Sequence, residues 1–204
     1  MALLATLSDL KVELGITNSA QDTRLTSLLR QASDAIETLV DRRFERRTLT
    51  ETFQPASWPR STRTLYLSAW PVVGSITISI AGTSLVEAEY VLDLTEGTLK
   101  QPIYGVGYGS PWGYDWGGVV TVTYTGGYIL PGDEDADLPG DIERACLDLA
   151  IRNYHGASRD PTLRSEVVPG VIEQSWSASD SVPVLGGLPL DIAQRLIGHK
   201  RAIL

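Results

Sequence analysis

Two histidines, one cysteine and a run of acids are the residues best equipped for chemistry. His155 and His199 are the only histidines and Cys146 the only cysteine. Nucleophilic catalysis by a serine needs a base within hydrogen-bond reach, and no Gly-x-Ser-x-Gly frames any serine. His155 falls at the expected end of a helix, where the dipole accepts it, and His199 lies on a basic tail facing solvent or a partner. Cys146 sits in an apolar helical stripe. It reads as a small core residue, because reactive thiols need an exposed, electropositive setting. A single cysteine also excludes an internal disulfide and a cysteine-based zinc cluster. The acids Asp133, Glu134, Asp135 and Asp137 are the densest ligand candidates. A calcium loop of the EF type needs alternating acids, a central glycine and a distal glutamate; that pattern is absent, so a solvated acidic loop is expected. The sequence predicts no catalytic residue, no metal site and no cofactor.

The stretch from Gly105 to Gly118 is rich in glycine but fails the nucleotide test. Its spacing is G-x-G-x-G rather than G-x-G-x-x-G, and there is no G-K-[ST]. Its aromatics carry the information: Tyr104, Tyr108, Trp112, Tyr114 and Trp116. Tyrosine and tryptophan on such a stretch anchor protein contacts. Three readings stand: contact with a neighbouring subunit or ring, packing on the chain's own sheet, and a sugar platform. Arg42-Arg43-Phe44-Glu45-Arg46-Arg47 is the one basic cluster. Asp41 and Glu45 interrupt it, and it reads as a helix end with dipole-matched arginines.

The elements that must position these residues follow from periodicity. Thr6 or Ser8 caps a first helix that Gly15 closes, giving residues 6–15. A second helix, 20–42, is predicted from Leu25, Leu28, Leu29, Ala32, Ala35, Ile36, Leu39 and Val40, with Ser19 and Asp22 as an approximate capping box. From Thr48 the period shifts from 3.6 to 2. Strands are expected at 48–53, 64–68, 72–80, 90–94 and 119–125, with hairpin turns at 81–84 and at Glu96-Gly97. A third helix, 138–155, carries Leu138, Ile142, Ala145, Cys146, Leu149 and Ala150, with Asp137 or Asp141 as its cap. Residues 157–187 show no sustained period and contain Pro161, Pro169 and Pro183. They read as an extended loop that is functional or orders against a partner. A last helix begins near Pro189 and carries Leu190, Ala193, Leu196 and Ile197 on one face. The fold class is therefore α+β. A small helical bundle, two N-terminal helices plus a third after residue 138, holds an inserted antiparallel β module. The domain reading is a core at 1–156 with the β insertion at 48–130, the loop at 157–187, and a C-terminal helical arm at 188–204.

Composition narrows the function class. The chain has 204 residues, 21% of them charged, and a net charge of −8. A fold that grips nucleic acid by its phosphates carries a basic excess, because displaced counterions supply the affinity. The acids concentrate late: residues 131–204 hold twelve, six of them between Asp133 and Glu143. The last ten residues reverse the sign with Arg195, Lys200 and Arg201. No apolar run approaches the ~18 residues that span a bilayer, and the start of the chain lacks a signal-peptide pattern. The chain is expected to stay in the cytoplasm where it is made, with no membrane contact.

The order of motifs carries a resemblance. Ser8-Asp9-Leu10-Lys11-Val12-Glu13-Leu14-Gly15 leads into Leu25-Thr26-Ser27-Leu28-Leu29-Arg30-Gln31-Ala32-Ser33-Asp34-Ala35-Ile36-Glu37. Then come Arg42-Arg43-Phe44, Trp70-Pro71-Val72-Val73, Val122-Thr123-Tyr124-Thr125-Gly126-Gly127-Tyr128, and a helix opening Leu138-Pro139-Gly140-Asp141-Ile142. This resembles the head–tail connector (adaptor, head-completion) family of tailed double-stranded DNA phages and gene transfer agents. The resemblance covers most of residues 5–156. It implies structural work rather than catalysis: a homo-oligomeric ring of about a dozen copies, a dodecamer, under the portal protein ring. Such a ring extends the DNA channel and offers a platform for a stopper or tail-completion protein. The resemblance places the chain at the head–tail interface of a virion or phage-like particle, made in the bacterial host cytoplasm, with double-stranded DNA passing transiently and non-specifically. It points to Leu190, Ala193, Arg195, Leu196, Ile197, Lys200 and Arg201 as a portal-docking arm. Tyr108, Trp112, Tyr114 and Trp116 become inter-subunit or tail-side contacts, and Asp133, Glu134, Asp135 and Asp137 channel-lining acids. The alternatives are a stopper or tail-completion component of the same particle, and an unrelated β-containing glycan-binding module.

Overall fold

The computed structural model of the chain describes residues 2–54, 64–100, 116, 118–156, 165–168, 172–175 and 184–200. The fold is α+β, as expected. In chain order its elements are α1 (Leu7–Leu14), α2 (Asp22–Val40), β1 (Arg47–Phe53), β2 (Thr64–Tyr66), β3 (Val72–Ile80), β4 (Thr83–Ser84), β5 (Val91–Asp93), β6 (Thr98–Lys100), β7 (Val120–Gly126), α3 (Gly140–Gly156), β8 (Ser165–Val168), β9 (Ile172–Ser175), β10 (Val184–Leu185), β11 (Leu188–Pro189) and α4 (Leu190–Leu196). They form two compact units. One joins Met1–Arg42 to Ile129–Arg201, and the other is built on Arg43–Tyr128.

In the first unit, α1 starts on Thr6, whose hydroxyl accepts the Asp9 backbone N–H at 3.1 Å. It stops at Gly15, which takes a left-handed φ of 65° and lets the Ile16 N–H return to the Lys11 carbonyl at 2.9 Å. The second helix starts later than the capping-box reading predicts. Asn18 accepts the Ala20 N–H to make a local turn, and Asp22 is taken by the Lys11 ammonium at 2.8 Å. With its side chain so engaged, Asp22 opens the helix rather than closing a box. The predicted stripe is then buried: Leu25, Leu29, Ala32 and Ile36 are fully enclosed, and Leu28 and Val40 nearly so. From α3 come Ile142, Ala145, Cys146, Leu149 and Ala150. Each larger aliphatic side chain contributes about 1.5–3 kcal/mol by leaving water. A polar pin runs through this contact. Ser33 Oγ donates to the Leu29 carbonyl at 2.8 Å, accepts the Leu4 N–H at 3.0 Å and lies 3.5 Å from Cys146 Sγ. Helix α3 begins at Gly140, two residues after the expected start, because Pro139 precedes it and its carbonyl takes the Ile142 N–H. The segment expected to be an extended loop contains regular structure: β8 and β9 pair antiparallel, Ser165 opposite Ser175, and β10 and β11 pair likewise.

The second unit holds a four-stranded antiparallel sheet in the order β1-β7-β3-β4 and a three-stranded one in the order β2-β6-β5. Alternation sets its two faces. Val120, Val122 and Tyr124 of β7 point into a core shared with Ile78, Ile80, Leu65, Leu67 and Leu99. On the other face Thr48, Thr50 and Thr52 of β1 stand opposite Thr125, Thr123 and Thr121 of β7. The hydroxyls of Thr48 and Thr125 are 2.8 Å apart and those of Thr50 and Thr123 are 2.9 Å apart. Strands β3 and β4 are joined by Ala81 and Gly82, both at positive φ (47° and 86°), as a two-residue hairpin requires. Strand β6 has no counterpart among the expected strands, since three residues show too little alternation to register.

Chain entry and exit of this unit form a stem. The Tyr128 N–H donates to the Phe44 carbonyl at 2.7 Å, the Arg46 N–H to the Tyr128 carbonyl at 2.8 Å, and the two rings lie 6.4 Å apart. Gly127 makes this approach possible: its φ is 104°, and a Cβ there would sit 2.7 Å from the Phe44 and Glu45 carbonyl oxygens. At the edge of the core, the half-buried Glu51 carboxylate receives Ser68 through its backbone N–H at 3.1 Å and through its hydroxyl, together with the Tyr124 hydroxyl. Burial first, then the bond to Glu51 and its charge, push the Tyr124 phenol up to about 12.

Candidate functional site

Helix α3 and the C-terminal segment are built as one electrostatic zipper over an apolar seam. On α3, Asp141, Arg144, Asp148 and Arg152 recur at steps of three, four and four, so they share one face and alternate in sign. On the C-terminal segment, Asp191, Arg195 and His199 recur at steps of four. The two rows meet antiparallel. Arg152 reaches Asp191 at 2.5 Å, Arg195 reaches Asp148 at 2.8 Å, and His199 Nε2 lies 2.7 Å from Asp141 Oδ2. The last contact is a hydrogen bond with a neutral ring and an ion pair with a protonated one. Arg144 extends the row to α1 by bonding Glu13 at 2.6 Å while bridging to Asp148 at 3.0 Å. Pairs this exposed contribute only about 0.2–1 kcal/mol each, so they set register more than stability.

The apolar seam beneath them contributes more to stability. Leu188, Ile192, Ala193 and Leu196 are buried, while Ile197 is 56% exposed. The face expected of a docking arm is Leu190, Ala193, Leu196 and Ile197. Only Ala193 and Leu196 of that set lie in the seam, Leu190 is half-buried, and the first unit's own helices cover them. The phase differs because the helix enters from β11, whose Leu188 is already inside, which rotates Ile192 into the core. Arg195 is spent on Asp148, Lys200 is exposed, and Arg201 lies outside the described residues. Sequence reasoning missed Ile192 and the whole α3 charge row; the alternating signs of Arg144, Asp148 and Arg152 and the four-residue steps of Asp191, Arg195 and His199 were the available signal.

The other expected site residues are scattered. Trp116 is fully buried in the β core of the second unit, in one cluster with Ile78, Leu99 and Val120. It packs within its own unit and offers no surface to a neighbour, a correction to its reading as an inter-subunit contact. The cause is the nearby start of β7, which draws it inward. Tyr108, Trp112 and Tyr114 lie outside the described residues. Asp133, Glu134 and Asp135 are exposed. Asp137 differs from them: its carboxylate accepts the Ile129 N–H at 2.6 Å and its own N–H returns to the Ile129 carbonyl at 3.1 Å, which closes the acidic loop. The arginine cluster does not cap α2, which ends at Val40. Arg42 is buried, and Arg46 Nε donates to the Gly127 carbonyl at 3.2 Å.

Cys146, His155 and Glu143 each sit in a structural setting. Burial pushes the Cys146 thiol up to about 11, with Ser33 opposing through its hydrogen bond. His155 is exposed at the end of α3 and stacks edge-on against Tyr154 at 5.5 Å, with Arg24 over the Tyr154 ring at 5.0 Å. Glu143 is raised by burial and then by the Asp9 charge. Among the described residues no three histidine, cysteine or acidic side chains gather as a metal site, and no helix is long and apolar enough to cross a membrane.

Comparisons with known proteins bear on this frame. Residues 4–69 match the family described as phage gp6-like head-tail connector protein. No curated protein matches the chain. A chain from the neck of an empty gene transfer agent (GTA) particle, computed with C6 symmetry, matches at a TM-score of 0.54 and 20% identity, covering 100% of this chain and 94% of that one. A chain from the virion of a native GTA particle matches at a TM-score of 0.54 and 17% identity over the same shares. At these identities the likeness is one of fold. The resemblance read from the motif order meets the head–tail connector family model over residues 4–69, α1 through β2, and along its length the chain is similar in fold to the two GTA particle chains.

Proposed function

We propose that the chain is a structural head–tail connector (adaptor) subunit. It assembles as a ring of about a dozen copies under the portal, extends the DNA channel, and presents a platform to a stopper or tail-completion protein. The observation that carries this is the family match at residues 4–69 combined with full-length fold likeness to a particle neck. Its site is an assembly surface rather than an active site. The C-terminal segment docks on the portal as a folded piece of the helical unit, offering its outward Ile197 and Lys200 while Ile192 and Leu196 stay inside. The exposed acids Asp133, Glu134 and Asp135 face the channel, where they repel phosphate and keep DNA moving.

The test is a double substitution, Ile197→Asp with Lys200→Glu. Both residues are exposed, so the variant keeps its melting curve. It is expected to lose co-sedimentation with portal rings and to yield DNA-filled heads without tails. Normal portal binding and normal tailed particles would sink the docking assignment.

A further inference from the structure

Strand β1 is an open edge. In the sheet β1-β7-β3-β4 it pairs on one side only, with β7. It is seven residues long, whereas β4 at the opposite edge has two. The edges of the three-stranded sheet, β2 and β5, have three each. An edge strand turns the N–H and C=O of every second residue outward. Among the described residues, no backbone bond other than the β7 ladder reaches Arg47–Phe53. Edges are normally blunted by proline, lysine, a bulge or an inward charge. Strand β1 has no proline and no lysine. Its ladder with β7 runs unbroken, whereas β3 shifts register between Val73 and Thr77. Its inward charge, Glu51, is already bonded by Ser68 and Tyr124, so a strand added here would trap no unpaired carboxylate.

The same chain carries a strand pair that lacks a sheet. Strands β8 and β9, four residues each, form a two-stranded ribbon that joins no other described strand and packs chiefly on itself. Such a ribbon alone is marginal in water, and a third strand is one of the things that makes it stable. The sequence of β8 and β9 contains Glu166 and Glu173 and no base, while β1 opens on the exposed Arg47. Strand addition to an open edge gains main-chain hydrogen bonds and needs no apolar groove. Edge and ribbon are different surfaces, so pairing between copies is head-to-tail. Every copy then gives a ribbon and receives one, as a ring or a filament requires.

We propose that the edge of β1 is the site where a second copy of this chain adds its β8-β9 ribbon, extending the four-stranded sheet across the subunit boundary. This deepens the connector reading, on which the ring rests, by naming the contact that joins neighbouring copies.

Amide hydrogen exchange of the purified full chain, resolved by residue, tests it. The expected result is fast exchange at alternate β1 residues in the dilute chain. Concentrating the chain should slow these amides by about tenfold or more, the factor that one net hydrogen bond supplies. Val167→Pro and Gln174→Pro each remove a ribbon N–H. Both variants should keep the wild-type melting curve and lose the slowing. Slow exchange already in the dilute chain would mean that its own residues cover the edge. Slowing that survives both substitutions would mean that another strand, such as β1 of a second copy, fills it. No slowing at any concentration would mean that copies do not pair here. A lowered melting temperature in both variants would mean that the ribbon belongs to its own core. Each of these four results would overturn the proposal. Wild-type chain missing from purified particles would sink the connector reading alone, because the pairing is measured on the purified chain.

Discussion

Helix α3 is held on two sides by two kinds of force. Its buried stripe, Ala145, Cys146 and Leu149 among others, belongs to the core with α2, and the hydroxyl inserted there, that of Ser33, is fully bonded. Its exposed row of Asp141, Arg144, Asp148 and Arg152 reaches α1 and the C-terminal segment through charged pairs. The apolar side fixes stability, since burial gains scale with area. The charged side fixes which residue stands opposite which, since each pair is weak and each mismatch repels. A helix can thus be anchored by one face and aligned by the other.

The largest effect is expected from breaking the apolar side. Ile36→Asp places an unpaired charge in a fully enclosed position, at a cost of several kcal/mol. Circular dichroism should show an unfolded or molten chain at room temperature. An unchanged melting temperature would mean that α2 and α3 do not share this core.

A middle effect tests where the C-terminal segment belongs. Ile192 is fully buried, and Ile192→Ala should cost about 2–4 kcal/mol. For a chain of this length that lowers the melting temperature by roughly 5–15 °C. A change of a degree or less would place α4 outside the cooperative unit, as a tethered arm.

The smallest effect sharpens the charged side. Glu143 on α3 is raised above the usual carboxylate range by burial and by Asp9. The folded state therefore holds this proton more tightly than the unfolded chain does. Wild-type stability from this group is lowest at neutral pH, and rises as pH falls through the raised value. Glu143→Gln removes the charge at every pH. It should raise the melting temperature by about 1 °C at neutral pH. The gap should close, or reverse, on acidification. A gap independent of pH would show that Glu143 is not the group responsible.

The long elements were legible in the sequence for a simple reason. In α2, nineteen residues give more than five turns, and one local exception cannot shift the phase of the stripe. In β7, strict alternation of buried and half-buried positions runs over seven residues, as the pattern Val-Thr-Val-Thr-Tyr-Thr-Gly predicts. The seven-residue α4 gave no such protection. Less than two full turns of pattern fit both the Leu190/Ile197 phase and the Leu188/Ile192 phase, and only packing chose between them. Trp116 was misplaced because an aromatic in a glycine-rich stretch has no period of its own. Backbone pairing of β8 with β9 leaves no apolar alternation in Ser-Glu-Val-Val and Ile-Glu-Gln-Ser, so nothing in composition announced it. The charge zipper was readable in principle, but only by someone who already knew which two rows run antiparallel.

The stem of the β unit has a consequence for how such a chain can vary. Entry at Phe44 and exit at Tyr128 are clasped by backbone hydrogen bonds around Gly127, so the polypeptide leaves and rejoins at a single closed neck. Whatever lies beyond that neck behaves as a cassette. The clasp brings the ends that feed the flanking helices together, and the unit seals it from inside, since the Gly127 N–H also bonds the Pro71 carbonyl at 2.9 Å. An insertion at the exposed Ala81-Gly82 turn, far along the chain from the clasp, is therefore expected to leave the neck closed, whereas one at Pro71 is expected to open it.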